Sequence, residues 1–212
     1  MQMTDSNSIC DGRQHYNLSG LSGDSRYFVE VIKLFESYLG AGYLTGDRVL
    51  SLLNHRSQSA LYAAITNDSP GHCVGAMLVY VMPQKECLNY TRLLQDKINV
   101  DLSQYQKLGL LKSLVVSETY RSQGIGNALI EQSLQQFRQW SCSAALTIAW
   151  IPSDGAYSSL SLFKGAGFEV LASFDNFWQQ SSIVEKFICP ACGSIPCHCS
   201  AAFMMRKVAS QA

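Results

Sequence analysis

The stretch LKSLVVSETYRSQGIGNALIEQSL, residues 111–134, decides the fold of this chain. The apolar residues at 110–117 predict a buried strand. From Ile125 to Trp140, apolar side chains recur along one face, which predicts a helix. Between them lies the turn Arg121-Ser-Gln-Gly124-Ile-Gly126. Glycines let a backbone turn tightly and approach a ligand, and the first amides of a helix attract anions. The stretch therefore predicts a strand–turn–helix unit that can hold a diphosphate, with Arg121 adding a positive charge.

Two other interpretations of this turn stay open at the level of the residues alone. A glycine turn can connect a strand to a helix and bind nothing. A dinucleotide site of the Rossmann type is weaker, because its G-x-G-x-x-G fingerprint needs a third glycine where Leu129 stands.

The chain on either side of this unit predicts a mixture of helices and strands. Apolar spacing and turn residues predict helices at 25–39, 47–54, 88–97 and 157–164. Strands are predicted near 15–18 and at 60–66, 73–82, 144–150, 168–174 and 202–208. The run at 73–82 does not alternate, so we expect a strand buried on both faces. The fold class is therefore α/β (α+β), and residues 1–24, polar and rich in glycine and serine, are expected to form a flexible N-terminal segment.

Composition and charge exclude several classes of partner. The chain has 212 residues, of which 47% are apolar, and its 16 basic residues balance 16 acidic ones. A neutral chain has no general field that attracts nucleic acid or an anionic membrane. No apolar run approaches the roughly 20 residues of a membrane span, and the polar beginning lacks a signal sequence. We therefore expect a cytoplasmic monomer or homodimer with no nucleic-acid or membrane partner.

Residues Leu114 to Leu129 read L-x-V-x-x-x-x-R-x-x-G-x-G-x-A-L, which closely resembles the acetyl-coenzyme A signature of the GNAT superfamily of N-acetyltransferases. A second block, SSLSLFKGAGFEV at 158–170, resembles the superfamily's next conserved block and ends in its Gly167-Phe168 pair. The resemblance covers roughly residues 25 to 208. It implies a GNAT domain over 25–212, with a central mixed sheet flanked by helices and two splayed strands that bind acetyl-coenzyme A.

The resemblance also implies roles for single residues. The exposed backbone of Leu114, Val115 and Val116 would pair with the pantetheine arm, and the amides from Gln123 to Asn127 would hold the pyrophosphate. The backbone N–H of Val116 would act as an oxyanion donor to the thioester carbonyl. The implied coenzyme-binding residues are Leu114, Val115, Val116, Arg121, Ser122, Gln123, Gly124, Ile125, Gly126 and Asn127.

The catalytic acid departs from the family pattern. Family members commonly carry a tyrosine at the position of Phe163 and an asparagine at that of Ala156, and neither residue here can protonate a departing thiolate. Tyr157 is the candidate substitute, although an ordinary half-buried aromatic residue is the simpler interpretation. The thiolate can also leave without an enzymic acid, because thiols are already fairly acidic. The sequence identifies no general base.

The stretch CPACGSIPCHC, residues 189–199, predicts a metal site within an insertion at about 187–200. The pairs Cys189/Cys192 and Cys197/Cys199 can give one zinc ion four sulfur ligands, and His198 can replace one of them. With all four positions filled by protein, the zinc is expected to be structural. Two disulfides, a redox pair or an iron–sulfur cluster are the alternatives.

Three functions fit these patterns. The first is transfer of an acetyl group from acetyl-coenzyme A to a primary amine of an unidentified acceptor by direct attack. The second, favoured by Phe163, is a non-catalytic acyl-coenzyme A-binding regulatory module. The third is a zinc-knuckle interaction module.

Overall fold

The computed structural model describes residues 15–55, 58–153 and 159–208. They form one seven-stranded sheet in the order β1-β2-β3-β4-β5-β7-β6, in which only β4 and β5 pair in parallel. The strands are β1 (Tyr16–Leu21), β2 (Ser59–Thr66), β3 (Cys73–Val81), β4 (Leu108–Val116), β5 (Ala144–Ile151), β6 (Glu169–Phe174) and β7 (Ser200–Lys207). The helices are α1 (Phe28–Leu39), α2 (Gly46–His55), α3 (Gln84–Gln95), α4 (Ile125–Gln139), α5 (Leu160–Gly165) and α6 (Gln179–Glu185). This mixed α/β architecture confirms the predicted fold class.

The sheet is covered on both faces, as the apolar run of β3 predicts. Met77 and Val79 pack with α4 on one face, whereas Ala76 and Leu78 pack with α1 on the other. All four side chains are fully buried. Because helices lie on both sides, the strand needs apolar residues at every position, which explains why its sequence does not alternate.

Two features differ from the sequence-based expectations. β1 extends from Tyr16 to Leu21 and pairs along its whole length with β2. The flexible segment predicted for 1–24 is therefore wrong over this strand, although a short strand near 15–18 was expected. The other difference is α6, which was not predicted because its sequence QQSSIVE is short and mostly polar.

The connection from β6 to β7 holds both α6 and the four clustered cysteines, and it lies beside the end of β5. An isolated antiparallel bridge joins its Ile188 to Ala41 in the α1–α2 connection. Gly40 is required here, because its φ is +117° and a Cβ would lie 2.5 Å from the Ile188 carbonyl oxygen. Among the residues described, no helix has the length and hydrophobicity needed to span a membrane.

Candidate active site

The central parallel strands diverge in the middle of the sheet. β4 and β5 pair only from Leu108–Ala144 to Leu111–Thr147, although both strands continue for four or more residues. The divergence begins at a β-bulge, where Lys112 is the extra residue between the pairs Leu111–Val79 and Ser113–Leu78. A bulge bends its strand and increases the local twist. The sequence Leu111-Lys-Ser113 therefore opens a cleft between β4 and β5.

The backbone of β4 presents alternate residues to this cleft. The Ser117 amide donates to the Val74 carbonyl at 2.8 Å, so the amide of Ser117 faces β3. Because hydrogen-bonded and non-bonded pairs alternate in an antiparallel ladder, the amides of Leu114 and Val116 face away from β3, towards β5. The amide of Val115 belongs to the β3 side. Of the three residues that the sequence assigns to the pantetheine arm, two thus have the required orientation.

The glycine turn ends β4 and begins α4. Ser122 and Gly124 both have left-handed backbone, with φ of +60° and +83°, so the chain turns sharply into Ile125. A Cβ at Gly124 would meet nothing within 4 Å, whereas one at Gly126 would lie 2.8 Å from the Leu162 side chain of α5. Gly124 is therefore required by its φ, whereas a larger residue at Gly126 would require the Leu162 side chain to move. The first amides of α4 have no partner within the helix, so the turn can accept an anion.

Arg121 is anchored beside this turn. Its Nε donates to the Val116 carbonyl at 3.3 Å, and its guanidinium lies over the Tyr38 ring at 5.3 Å. The Tyr38 hydroxyl in turn accepts a hydrogen bond from the Glu118 amide at 3.0 Å. The Arg121 side chain thus ties the end of β4 to α1 and places a positive charge next to the amides of α4.

A cavity of about 600 Å³, counted with its open mouth, occupies the cleft. Its walls come from both diverging strands, from α5 and from the β6–β7 connection. They include Lys112, Ser113 and Leu114 of β4, Ile148 and Trp150 of β5, Phe163 of α5, and Trp178, Phe187, Cys189 and Cys197 of the connection. A wider groove between α2, α3 and α6, about 1500 Å³ with the open solvent at its mouth included, shares Tyr43, Lys112 and Trp178 with this cavity. The cleft therefore has a second approach on the face of the sheet opposite α4.

Lys112 stands where the cavity and the groove meet. Its Nζ lies 5.2 Å from the centre of the Tyr43 ring. Burial disfavours its ammonium group, but the phenols of Tyr43, Tyr80 and Tyr90 favour it, and the net effect raises its pKa above the ordinary value. Its ammonium group also forms a hydrogen bond with the Tyr43 hydroxyl, which further favours the charged form. The sequence analysis does not identify Lys112 as a site residue, although it is the one charged residue in the apolar run 108–116.

The catalytic candidates have different outcomes. Tyr157 and Ala156 lie outside the described residues, so the role assigned to Tyr157 stays a prediction. Phe163 is 3% exposed and packs edge-on against Phe168, with ring centres 5.4 Å apart. It lines the cavity without a polar group, as the sequence implied.

The four cysteines of the β6–β7 connection come together as one cluster. Their sulfur atoms all lie within 4.8 Å of one another, with Cys189–Cys199 and Cys192–Cys199 at 3.6 Å and Cys192–Cys197 at 3.8 Å. Four thiolates at the usual ~2.3 Å from a tetrahedral zinc ion would be about 3.8 Å apart. Disulfide bonds would need ~2.05 Å, and the four thiols are free. The geometry fits a tetrahedral metal site.

Local hydrogen bonds shape this cluster. The left-handed Gly193, with φ of +66°, returns its amide to the Cys189 carbonyl at 2.8 Å, and the Cys197 amide donates to Ser182 Oγ of α6 at 2.9 Å. Burial raises the pKa of Cys189 to about 11. For Cys192, burial is outweighed by hydrogen bonds from the His198 amide and Ser153, which lower its pKa to about 7. His198 contributes its backbone, and its imidazole is not part of the cluster.

The sheet thus has parallel central strands that diverge above a glycine turn at the N-terminus of α4. A sequence profile described as the acetyltransferase (GNAT) family matches residues 28–168, and the chain belongs to this family. It is an enzyme of the acyltransferase class. A search of curated proteins gives no significant match.

Solved structures agree on the fold. The chain is similar to one in the crystal structure of the NatC complex bound to Gag peptide and CoA, with 17% identity, a TM-score of 0.62, and coverage of 92% of this chain and 99% of that one. It is also similar to Ard1 from Thermoplasma volcanium, with 16% identity, a TM-score of 0.61 and coverage of 92% and 99%. NAA60 of Arabidopsis thaliana in complex with acetyl-CoA gives 14% identity, a TM-score of 0.62 and coverage of 91% and 98%.

Proposed function

We propose that this protein transfers the acetyl group of acetyl-coenzyme A to a primary amine of an acceptor by direct attack. The observation that carries the proposal is the divergence of β4 from β5, which leaves the Leu114 and Val116 amides on an open strand edge. An extended pantetheine arm can pair with such an edge as an added strand would. The glycine turn lies at the end of the same strand, which is where the pyrophosphate must follow.

The coenzyme would be held by the residues that the signature assigns. The amides from Gln123 to Asn127 bind the pyrophosphate, and Arg121 adds its charge beside them. The Val116 N–H donates to the thioester carbonyl and stabilises the negative charge that develops on it during attack. The complete set is Leu114, Val115, Val116, Arg121, Ser122, Gln123, Gly124, Ile125, Gly126 and Asn127. Val115 belongs to it as part of the strand, because its amide faces β3 and not the coenzyme.

The acceptor amine would enter from the groove between α2, α3 and α6 and meet the thioester in the cavity. Holding two reactants in line supplies much of the rate gain in such a transfer. Phe163 keeps one wall of the cavity dry, since it is buried and apolar. The thiolate leaves either unassisted or with a proton from Tyr157.

We also propose that Cys189, Cys192, Cys197 and Cys199 bind one structural zinc ion. Support comes from the sulfur spacing and from the free thiols, which fit a reducing, cytoplasmic compartment. Four protein ligands leave no open position, so the metal would hold the β6–β7 connection in place and take no part in the chemistry. Elemental analysis of protein purified without added metal is expected to give one zinc per chain.

A non-catalytic acyl-coenzyme A-binding module is the second candidate, and Phe163 in place of an acid is the observation that favours it. An acceptor screen separates the two functions. Amines, amino acids and peptides are incubated with acetyl-coenzyme A, and free thiol is measured. Release that depends on an acceptor supports acetyl transfer, whereas tight coenzyme binding with no release from any amine supports the module.

A further inference from the structure

Within the described part of the chain, two buried polar groups that line the cavity lack hydrogen-bond partners, and the Lys112 ammonium lies in the same lining. The buried Ser113 Oγ and Trp178 Nε1 have no hydrogen-bond partner among the residues that the structure describes. Both side chains line the cavity, and Lys112 lies next to Ser113 on the bulge and lines it as well. A buried polar group without a partner is unfavourable, and native proteins rarely keep one without a reason. Two such groups beside the half-buried Lys112 point to a ligand.

The chemistry of these groups restricts that ligand. An ammonium group and an indole N–H can only donate hydrogen bonds, and a hydroxyl can donate or accept. A ligand group with several lone pairs can accept from the ammonium, the indole and the hydroxyl. A carboxylate does so with two oxygens, and hydrogen bonds to an ionised group are the strong ones.

The charges around the cleft point the same way. Among the residues that the structure describes, the Lys, Arg, Asp and Glu side chains that line the cavity or the groove are Lys112, Arg48 and Glu185. Arg48 and Glu185 neutralise each other through an ion pair of 2.7 Å. No carboxylate in the described ranges forms an ion pair with Lys112, whose neighbours are the phenols of Tyr43, Tyr80 and Tyr90. Among the described lining residues, Lys112 is therefore the cation that has no carboxylate partner.

We propose that Lys112, Ser113 and Trp178 form a subsite for a carboxylate carried by the acceptor, so that the acceptor is an anionic amine. The inference rests on the proposed acetyl transfer. The carboxylate is either the α-carboxylate of an amino acid or the acidic side chain of a peptide. Lys112 lies on the face of β4 opposite α4, so the subsite is on the groove side of the thioester.

The test compares matched acceptors that differ in one charge. Glycine, serine and glutamate are each paired with the corresponding C-terminal amide, and peptide amides with aspartate at the second position are paired with asparagine versions. The carboxylate member of at least one series is expected to give a kcat/KM higher by about tenfold or more, the usual scale for a charge-assisted hydrogen bond. The series that shows the effect identifies the source of the carboxylate. Equal use of both members in every pair would overturn the proposal.

Variants separate recognition from stability. Lys112→Met and Trp178→Phe keep most of the apolar surface and remove one donor each, so the preference for the carboxylate member is expected to disappear in the first and shrink in the second. Lys85→Met is the matched control, because Lys85 is exposed on α3 and lines neither space. An unchanged preference in Lys112→Met would contradict the subsite.

A binding assay tests the subsite separately from acetyl transfer, so that it also applies if no amine causes thiol release. N-acetylglycine and N-acetylglycinamide are titrated by calorimetry into the acetyl-coenzyme A-free protein and its Lys112→Met variant. Tighter binding of the carboxylate, lost in the variant, would support the subsite even if acetyl transfer failed. Equal binding of the two compounds would overturn it.

Discussion

The two walls of the cleft are built in different ways. The β4–α4 wall is continuous in sequence: one strand, one turn and one helix place Leu114, Val116 and the α4 amides within 14 residues, 114–127. The opposite wall is assembled from distant segments, since Ile188 pairs with Ala41 and Glu185 with Arg48. The first wall presents a helix N-terminus and backbone amides, and the second presents aromatic rings and thiols.

This difference indicates how the two walls divide the work. A coenzyme common to a whole family can be bound by backbone groups, which tolerate many side chains. An acceptor differs between family members, so its wall depends on inserted segments and on tertiary contacts. The following predictions test that division, beginning with the largest expected effect.

Substitution in the glycine turn is expected to damage the coenzyme wall most. Gly124→Val forces a branched side chain into a left-handed position, with φ of +83°, and covers the amides of α4. Acetyl-coenzyme A affinity should fall by about 10²-fold, the scale of one or two lost charge-assisted hydrogen bonds. Gly126→Val should also lose affinity, because its side chain would collide with Leu162 at the α4–α5 contact.

The control for the turn is Gly165→Ala, where a Cβ would meet nothing within 4 Å. Calorimetry should show unchanged affinity in this variant. Unchanged affinity in both Gly124→Val and Gly126→Val would instead remove the pyrophosphate from this turn.

Loss of the metal ligands is expected to affect the acceptor wall. The double variant Cys192→Ser with Cys197→Ser should remove the zinc and lower the free energy of unfolding by about 3–5 kcal/mol. Because 1 kcal/mol corresponds to ~2–4 °C in a domain of this size, the melting temperature should fall by about 10 °C. Because Cys189 and Cys197 line the cavity, acetyl transfer should fall with the metal, whereas acetyl-coenzyme A affinity should stay within about threefold. Metal analysis, calorimetric melting and coenzyme titration are measured on the same sample.

Ser194→Ala is the matched control within the same loop, because Ser194 is exposed and is not a ligand. It should retain metal, stability and activity. A collapse of coenzyme affinity on metal loss would show that the two walls are not independent.

Phe163→Tyr is expected to have a small effect on turnover. If proton donation comes from elsewhere or is not needed, kcat should change by less than about tenfold, or ~1.4 kcal/mol of barrier. Phe163 is 3% exposed, so a new hydroxyl without a hydrogen-bond partner should lower the stability by about 1–2 kcal/mol. A far larger rate gain would show that the enzyme lacks an acid it can use.

The companion variant Tyr157→Phe should lose ~10²–10⁴-fold in kcat only if Tyr157 is the acid.

The smallest expected effect is a difference in reactivity between two thiols of the metal-free protein. A lowered pKa increases the thiolate fraction at neutral pH, so alkylation of Cys192 should rise through a midpoint near pH 7. The pKa of Cys189 is about 11, so this thiol should react slowly until well above pH 9. Mass spectrometry after brief iodoacetamide treatment gives both rates. Equal rates at pH 7 would contradict the hydrogen bonds assigned to Cys192.

The sequence could predict the features that depend on local pattern. The signature at 114–129 and the apolar spacing of α1 and α4 indicated the fold, and the spacing of the cysteines indicated a cluster that the structure confirms. The bulge at Lys112 could not be predicted, because it depends on the register between β3 and β4. Trp178 and Tyr43 could not be placed either, since their contact, with ring centres 6.0 Å apart, joins segments more than 130 residues apart.

Hydrogen exchange at single amides of β4 tests the central claim most directly. In the free protein, the Val115 amide should be protected by the β3–β4 ladder, whereas Leu114 and Val116 should exchange faster because they face the cleft. Saturating acetyl-coenzyme A should slow exchange at Val116, and at Leu114 where the pantetheine arm reaches it, by about tenfold or more, as expected for newly formed backbone hydrogen bonds. The amides at 124–127 should gain protection as well. The account would be contradicted if saturating coenzyme left hydrogen exchange at Leu114, Val116 and 124–127 unchanged and slowed it in another part of the sheet.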